Sequence, residues 1–342
     1  MLAIYLLAVY GAIELESTCG LYRGTVTVAG KNIPLTFDTG SSSLWIKNTR
    51  NVCSPTKGSW EIDYNRGKVQ GKYCASTQKV TAGSCEVSVK ELAIGTDVGT
   101  AITSCTDGTL GLGMPSANAE AGQPFLKSMN LHTQCDNKAI MSWAFEGDTS
   151  TALLEFGKGQ PNKYDGVLLT ENLHSFEKCK LDIWTVAVSA VRVNDKQLQL
   201  SSSHAAIFDT GSTVTLLPES YKAELNAGSS LTGKLKIEFA DIFIELDNVQ
   251  IAFSDDPRVV IGKNALKYAY MELDAHDDCV RLARLKGHTQ FTVGTLETTH
   301  EYGPKEGCKV SKALQWVVLG IVGVLVAGAC FVLIKPFFNK QH

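Results

Sequence analysis

Apolar positions along the chain fall into short segments divided by turn formers, and long apolar runs occur only at the two ends. Residues 24–28, 79–89, 184–193 and 234–251 mix β-branched and aromatic residues, the composition of strands. Residues 35–37 and 206–208 are brief apolar runs that read as buried strands. A period near 3.6 appears only in short stretches such as 218–227, where Gly228 follows as a C-terminal stop. Many short strands with few helices predict an all-β fold with a sandwich- or barrel-like architecture.

The ends read differently. Residues 2–13 are an uninterrupted apolar run, and the first charge is Glu14. Such a run is too short for a bilayer of about 30 Å but suits the hydrophobic region of a secretory leader. The expected leader is residues 1–17, with its boundary anywhere from 11 to 20; a buried first strand is the alternative. Residues 313–334 carry no charge and one amide, Gln315. As a helix they would be about 33 Å long, enough to cross a membrane, and no polar face interrupts them. Lysines flank both sides, so the leader sets the orientation: a single-pass type I protein with residues 335–342 in the cytoplasm. A lipid-anchor signal is the competing reading of this end.

Composition narrows the class. The 342 residues are 44% apolar and 20% charged, with a net charge of −3, which excludes wholesale disorder and gives no electrostatic footprint for nucleic acid. Ten cysteines fit an oxidising compartment, yet none form C-x-x-C. His132 and Cys135 are a lone H-x-x-C pair. No zincin helix motif, phosphate-binding loop or G-x-S-x-G elbow is present, so no metal or other cofactor is expected.

One repeat carries chemistry. Phe37-Asp38-Thr39-Gly40-Ser41 recurs as Phe208-Asp209-Thr210-Gly211-Ser212, 171 residues later. Each copy follows an apolar strand, so each aspartate stands where a strand enters a loop. This arrangement implies two similar lobes that contribute one carboxylate each. Two carboxylates held together cannot both ionise freely, and they share a proton. The ionised member can take a proton from water while the protonated one donates to a carbonyl, which is amide hydrolysis by general acid–base catalysis. Thr39, Ser41, Thr210 and Ser212 have hydroxyls to hold the pair, and Gly40 and Gly211 allow close approach. Ser212 is expected to donate to Asp209, and an acidic optimum is expected with it.

With these residues the sequence resembles the pepsin-like (A1) aspartic proteases over roughly residues 21–285. The resemblance extends through Leu44-Trp45, with Trp45 in the role of flap support. Ile62-Asp63-Tyr64-Asn65-Arg66-Gly67, followed by Gly71, resembles the flap hairpin and makes Tyr64 the flap tyrosine and Gly67 part of the substrate cleft. Asp107 to Gly113 and Val260-Ile261-Gly262 resemble the hydrophobic-hydrophobic-Gly segments of the two lobes, and Trp184 the aromatic that opens the second. Only 26 positions separate Asp38 from Tyr64, a trimmed loop.

The resemblance implies a bilobal, mostly β fold with the active site between the lobes, and an aspartic endopeptidase acting on peptides or proteins. The expected organisation is an N-terminal lobe at 18–165, a C-terminal lobe at 166–286, a juxtamembrane linker at 287–312 and the membrane helix at 313–334. A catalytically silent binding receptor of the same fold is the alternative function. The catalytic unit is expected to be monomeric, since both aspartates lie on one chain. If bridges stay within lobes, Cys179 pairs with Cys279 and Cys308 is left for an intermolecular link; alternatively Cys19 leaves with the leader and Cys308 pairs inside the fold. The short distance from Met1 to Asp38 also raises the expectation of control without a cleaved prosegment.

Overall fold

The computed structural model describes residues 11–64, 67–99, 106–114, 121–129, 140–147, 150–174, 183–200 and 205–297. The fold is mostly β and bilobal, as expected. Among the described residues the strands form a 15-stranded and a 9-stranded sheet, with a few short helices.

The first sheet is built around strands β1 (Ile13–Thr18), β2 (Leu21–Val28), β3 (Lys31–Asp38) and β4 (Leu44–Lys47). Beyond β4 lies Ala93–Val98, and then the hairpin of β5 (Thr56–Tyr64) and β6 (Gly67–Cys74). In β3, Leu35 and Phe37 are fully buried in the main core, so the alternation of a strand turns Thr36 and Asp38 to the opposite face.

A matching arrangement closes each aspartate strand. Gly108–Gly111 pairs in parallel with β3, placing Gly111 beside Asp38, and antiparallel with β4. In the second sheet Val259–Ile261 pairs in parallel with Ala205–Phe208 and antiparallel with Thr215–Pro218. The internal repeat read in the sequence is therefore a repeat of topology.

Several elements differ from the sequence reading. Residues 79–89 are not one strand but the hairpin of Gln78–Ala82 and Cys85–Val89, because Gly83 turns the chain at φ 60°. Residues 234–251 likewise divide into Ser230–Glu238 and Ile242–Ser254. The helix expected at 218–227 covers only Ser220–Glu224; Asn226, at φ 49°, reaches the left-handed region before Gly228.

Strands run across several of the expected boundaries. Of the leader predicted at 1–17, residues 1–10 lie outside the described residues, while Ile13–Thr18 is a sheet strand paired with Thr151–Phe156 and β2. A boundary at 17 would cut that strand away. The lobe limits at 165 and 166 are not sheet limits, because Tyr164–Asn172, Ala269–Asp274 and Cys279–Leu285 all join the first sheet. Within the expected linker at 287–312, Phe291–Thr295 is a strand against Ile242–Ser254, with Phe291 fully buried. The membrane helix predicted at 313–334, Cys308 and the pair His132 and Cys135 lie outside the described residues. Among the described residues no helix is long and apolar enough to cross a membrane.

One disulfide lies wholly within the first lobe. Cys53 and Cys74 form a disulfide with Cα atoms 5.8 Å apart, inside the first lobe at the base of the β5–β6 hairpin. Cys19 and Cys85 are also disulfide-bonded. Cys279 is a free, buried thiol, and Cys179, its expected partner, lies outside the described residues. Cys279 opens a strand packed between two others, and burial pushes its thiol pKa up to about 11.

If Phe291–Thr295 belongs to the fold, Phe291→Ala leaves a cavity and should lower unfolding free energy by about 3–5 kcal/mol. Urea denaturation of the variant checks this; a linker residue would leave the midpoint unmoved.

Candidate active site

The two aspartates meet where the strand pairs of the two halves converge. Asp38 is the last residue of β3, and Asp209 follows Ala205–Phe208 directly. Each turns back on its own loop: the Gly40 N–H donates to Asp38 Oδ1 at 2.9 Å, and the Gly211 N–H donates to Asp209 Oδ1 at 2.7 Å. The two carboxyls face one another: a Cβ placed on Gly211 would lie 2.3 Å from Asp38 Oδ1 and 3.1 Å from Asp209 Oδ1.

Glycine is required at both loops by proximity. A Cβ at Gly40 would lie 2.4 Å from Asp209 Oδ1, and one at Gly211 would lie 2.3 Å from Asp38 Oδ1. Each glycine thus lies against the carboxylate of the other half, which a side chain would push away.

The threonines serve the backbone rather than the carboxylates. The Thr39 N–H donates to Thr210 Oγ1 at 3.1 Å, and the Thr210 N–H donates to Thr39 Oγ1 at 3.0 Å. Each hydroxyl passes its own proton across the divide, Thr39 to the Phe208 carbonyl at 2.7 Å and Thr210 to the Phe37 carbonyl at 2.8 Å. Both threonines are fully buried. Four hydrogen bonds therefore tie two loops 171 residues apart.

The serines break the symmetry. Ser41 Oγ donates to Asp38 Oδ2 at 2.6 Å, whereas Ser212 Oγ donates to the Val214 carbonyl at 2.8 Å. The hydroxyl contact expected from Ser212 to Asp209 is thus not made; the Ser212 N–H donates to the Asp209 main-chain carbonyl at 3.3 Å. Burial, and then the negative charge of Asp38, hold the Asp209 carboxyl well above the ordinary carboxylate range.

Further contacts buttress the pair. The Leu112 N–H donates to the Asp38 carbonyl at 2.7 Å, and the Leu112 carbonyl accepts from Trp184 Nε1 at 2.7 Å. Trp184, buried, so links the second half to the first dyad loop. The sequence did not single out Lys263. Its N–H donates to the Ser212 carbonyl at 2.8 Å, its ammonium hydrogen-bonds Ser17 and lies 4.6 Å from the Tyr22 ring centre. The only signal was its place after Val260-Ile261-Gly262.

The β5–β6 hairpin stands at the side of Trp45. Trp45 is fully buried, and its Nε1–H donates to the Tyr64 hydroxyl at 2.9 Å. Tyr64 pairs with Gly67, whose φ of 133° is open to glycine; residues 65–66 lie outside the described residues. Trp45, Trp60, Ile62 and Val69 form an apolar cluster of their own, separate from the main core.

The family model of eukaryotic aspartyl proteases matches residues 21–251, which include both aspartate loops and the hairpin. The chain belongs to that family. It is 28% identical to syncephapepsin of Syncephalastrum racemosum over 229 residues, 60% of this chain and 55% of that protein. It is 25% identical to pepsin A of Gallus gallus over 219 residues, 58% of each. The chain thus spans a little over half the length of these two relatives. Candidapepsin-3 of Candida albicans is 23% identical over 345 residues, covering 80% of this chain and 82% of that protein.

Thr39→Val removes a hydroxyl but keeps the shape, orphaning the Thr210 N–H and the Phe208 carbonyl. Unfolding free energy should fall by about 1–3 kcal/mol for each orphaned group, and Thr39→Ser should restore most of it; chemical denaturation of the three chains measures both. Asp209 gives a second expectation. Its folded pKa is raised, so its contribution to stability is full below the unfolded carboxylate pKa, near 4, and is lost as pH rises through the folded value. Stability of Asp209→Asn, measured relative to the unsubstituted chain by urea unfolding, should therefore increase steadily from acid towards neutral pH.

Proposed function

We propose that the chain is an aspartic endopeptidase that cleaves peptide bonds with a water held between Asp38 and Asp209. The observation that carries this is the facing pair of carboxyls from matched loops, braced by the crossed threonines. Such a pair holds one proton between two acids, which is the protonation state the reaction needs.

We assign that proton to Asp209, whose carboxyl resists ionisation through burial and the nearby charge of Asp38. Asp38, which accepts from Gly40 and Ser41, is then the base that takes a proton from the attacking water. Asp209 donates to the substrate carbonyl as the oxygen becomes negative; when the resulting diol collapses, the proton gained by Asp38 passes to the leaving amine as the C–N bond breaks, and a hydroxyl proton of the diol returns to Asp209. Thr39, Gly40, Ser41, Thr210, Gly211 and Ser212 keep the acids in register. Trp45 holds Tyr64 at the edge of the cleft, where the β5–β6 hairpin would cover an extended peptide. No cofactor enters this scheme.

Placement of the enzyme rests on sequence and cysteines. The disulfide between Cys53 and Cys74 suits an oxidising compartment. A relative from Candida albicans bears the name secreted aspartic protease 3, and residues 313–334 are long and apolar enough to span a bilayer. The reading is a catalytic unit outside the cytoplasm, carried on a single C-terminal span, with a monomeric active site. Trypsin accessibility of the ectodomain on intact membranes tests the orientation.

Activity tests the chemistry. Asp38→Ala and Asp209→Ala should each abolish peptide hydrolysis, because one remaining carboxyl cannot act as acid and base together. The rate should fall as pH rises through the elevated pKa of Asp209, where the shared proton is lost. Ser41→Ala should move the pH profile, whereas Ser212→Ala should not, since its hydroxyl serves a carbonyl. Hydrolysis surviving either aspartate substitution overturns the scheme.

A further inference from the structure

Four adjacent strands present one row of cross-strand partners beside the paired aspartates. Arg23 of β2 stands opposite Thr36 of β3, Thr36 stands beside Thr109, and Thr109 stands opposite Trp45 of β4. Partners in register share a face of the sheet. Here it is the face turned from the main core, because the alternate residues Tyr22, Leu35, Phe37, Leu44, Ile46 and Leu110 are all in that core. It is also the face of Asp38, which follows Thr36 by two residues, about 7 Å along the strand. At the far end of the row Trp45 holds Tyr64 of the hairpin. The row is therefore the floor of the cleft between the carboxyl pair and the hairpin.

Its chemistry is unusual for a floor. A pocket for an apolar side chain is lined by apolar groups, yet this row offers a guanidinium and two hydroxyls. Arg23 Nε and Thr36 Oγ1 are buried and have no hydrogen-bond partner among the described residues. Polar atoms buried in this way call for a partner.

The surrounding charge is positive. Lys47, two residues past Trp45, feels both Arg50 and Arg23; burial comes first in lowering its pKa, Asp107 opposes it, and the two guanidiniums lower it further. Asp107 is the acid in this group, and it is ion-paired to Arg50. Glu16, opposite Arg23 on β1, is exposed and makes no ion pair with it among the described residues.

We propose that Arg23, with Thr36 and Thr109, forms a subsite for the carboxylate of an acidic substrate side chain close to the scissile bond. The proposal rests on the proteolytic reading above. A guanidinium presents a planar fork of donors that a carboxylate can accept in pairs, and the threonine hydroxyls supply further donors. An apolar side chain in the same place would leave those groups buried and unpaired, so discrimination arises against leucine as well as for glutamate.

The experiment uses the full chain and peptides that differ only by Glu, Gln or Leu at each position flanking the cleaved bond. At one position kcat/KM should favour Glu over Leu by at least about tenfold. The preference should grow as pH rises through the glutamate pKa, near 4.3. In Arg23→Leu the ratio should fall to near one or invert, and Thr36→Val should reduce it. Each ratio is taken within one preparation, so a smaller folded fraction does not alter it. A preference for Leu at every position, or a ratio unmoved by Arg23→Leu, overturns the subsite. If no peptide is cleaved in an Asp38-dependent way, the proteolytic reading fails by itself. The subsite is then decided by fluorescence anisotropy of the same peptides, labelled, on Asp38→Asn. Glu peptides binding at least about tenfold tighter, with loss in Arg23→Leu, supports it; equal binding overturns it.

Discussion

Two threonines that exchange hydrogen bonds across 171 residues of chain are the contact on which the rest of the site depends. Two carboxyls facing one another repel whenever both are charged, and neither can be relied on to hold the other. The restraint must come from groups that do not titrate. Backbone N–H groups and hydroxyls meet that need, and burial makes the exchange costly to break, since every group in it would lose its partner without gaining water. The loops are thus held by their main chains, leaving the carboxyl oxygens to one another and to a substrate.

The brace is nearly symmetric, and the pair it holds is not. Identical pentapeptides start the two loops, yet Ser41 reaches a carboxylate and Ser212 a carbonyl. The difference arises in the chain beyond each pentapeptide. After Ser212 the backbone leads into Thr215–Pro218, and the Val214 carbonyl lies within the serine's reach. Asp209, without a hydroxyl donor, is the carboxyl that burial raises. An inherited repeat thereby supplies two unlike acids, which proton exchange with a water requires.

Around this pair the molecule is divided between a rigid core and a hairpin with its own small core. The Cys53–Cys74 bridge ties the base of the hairpin, while Trp45 and Tyr64 tie its side to the cleft. Between hairpin and carboxyls the floor carries Arg23 and two threonines where a generic apolar cleft would carry hydrocarbon. The carboxyl pair and the polar row of Arg23, Thr36 and Thr109 accordingly lie on the same sheet face, one row of the pleat apart.

Sequence alone determined the class of fold and the two residues that face one another at its centre. A pentapeptide repeated 171 residues apart marks the paired aspartates, and short β-rich segments between turn formers mark the sheets. Apolar strands at 35–37 and 206–208 were legible because strand burial is a local pattern. Tertiary structure decided what depends on distant partners. Whether Ile13–Thr18 and Phe291–Thr295 are strands depends on sheet edges supplied by residues far along the chain, which no local pattern states. The free thiol of Cys279 and the turn of Ser212 away from Asp209 were likewise hidden, since neither spacing nor composition states which neighbour a side chain will meet. Arg23 was invisible for the same reason: in the sequence it is one charge in a strand, and only the register of four strands sets it beside Thr36 on the face of Asp38.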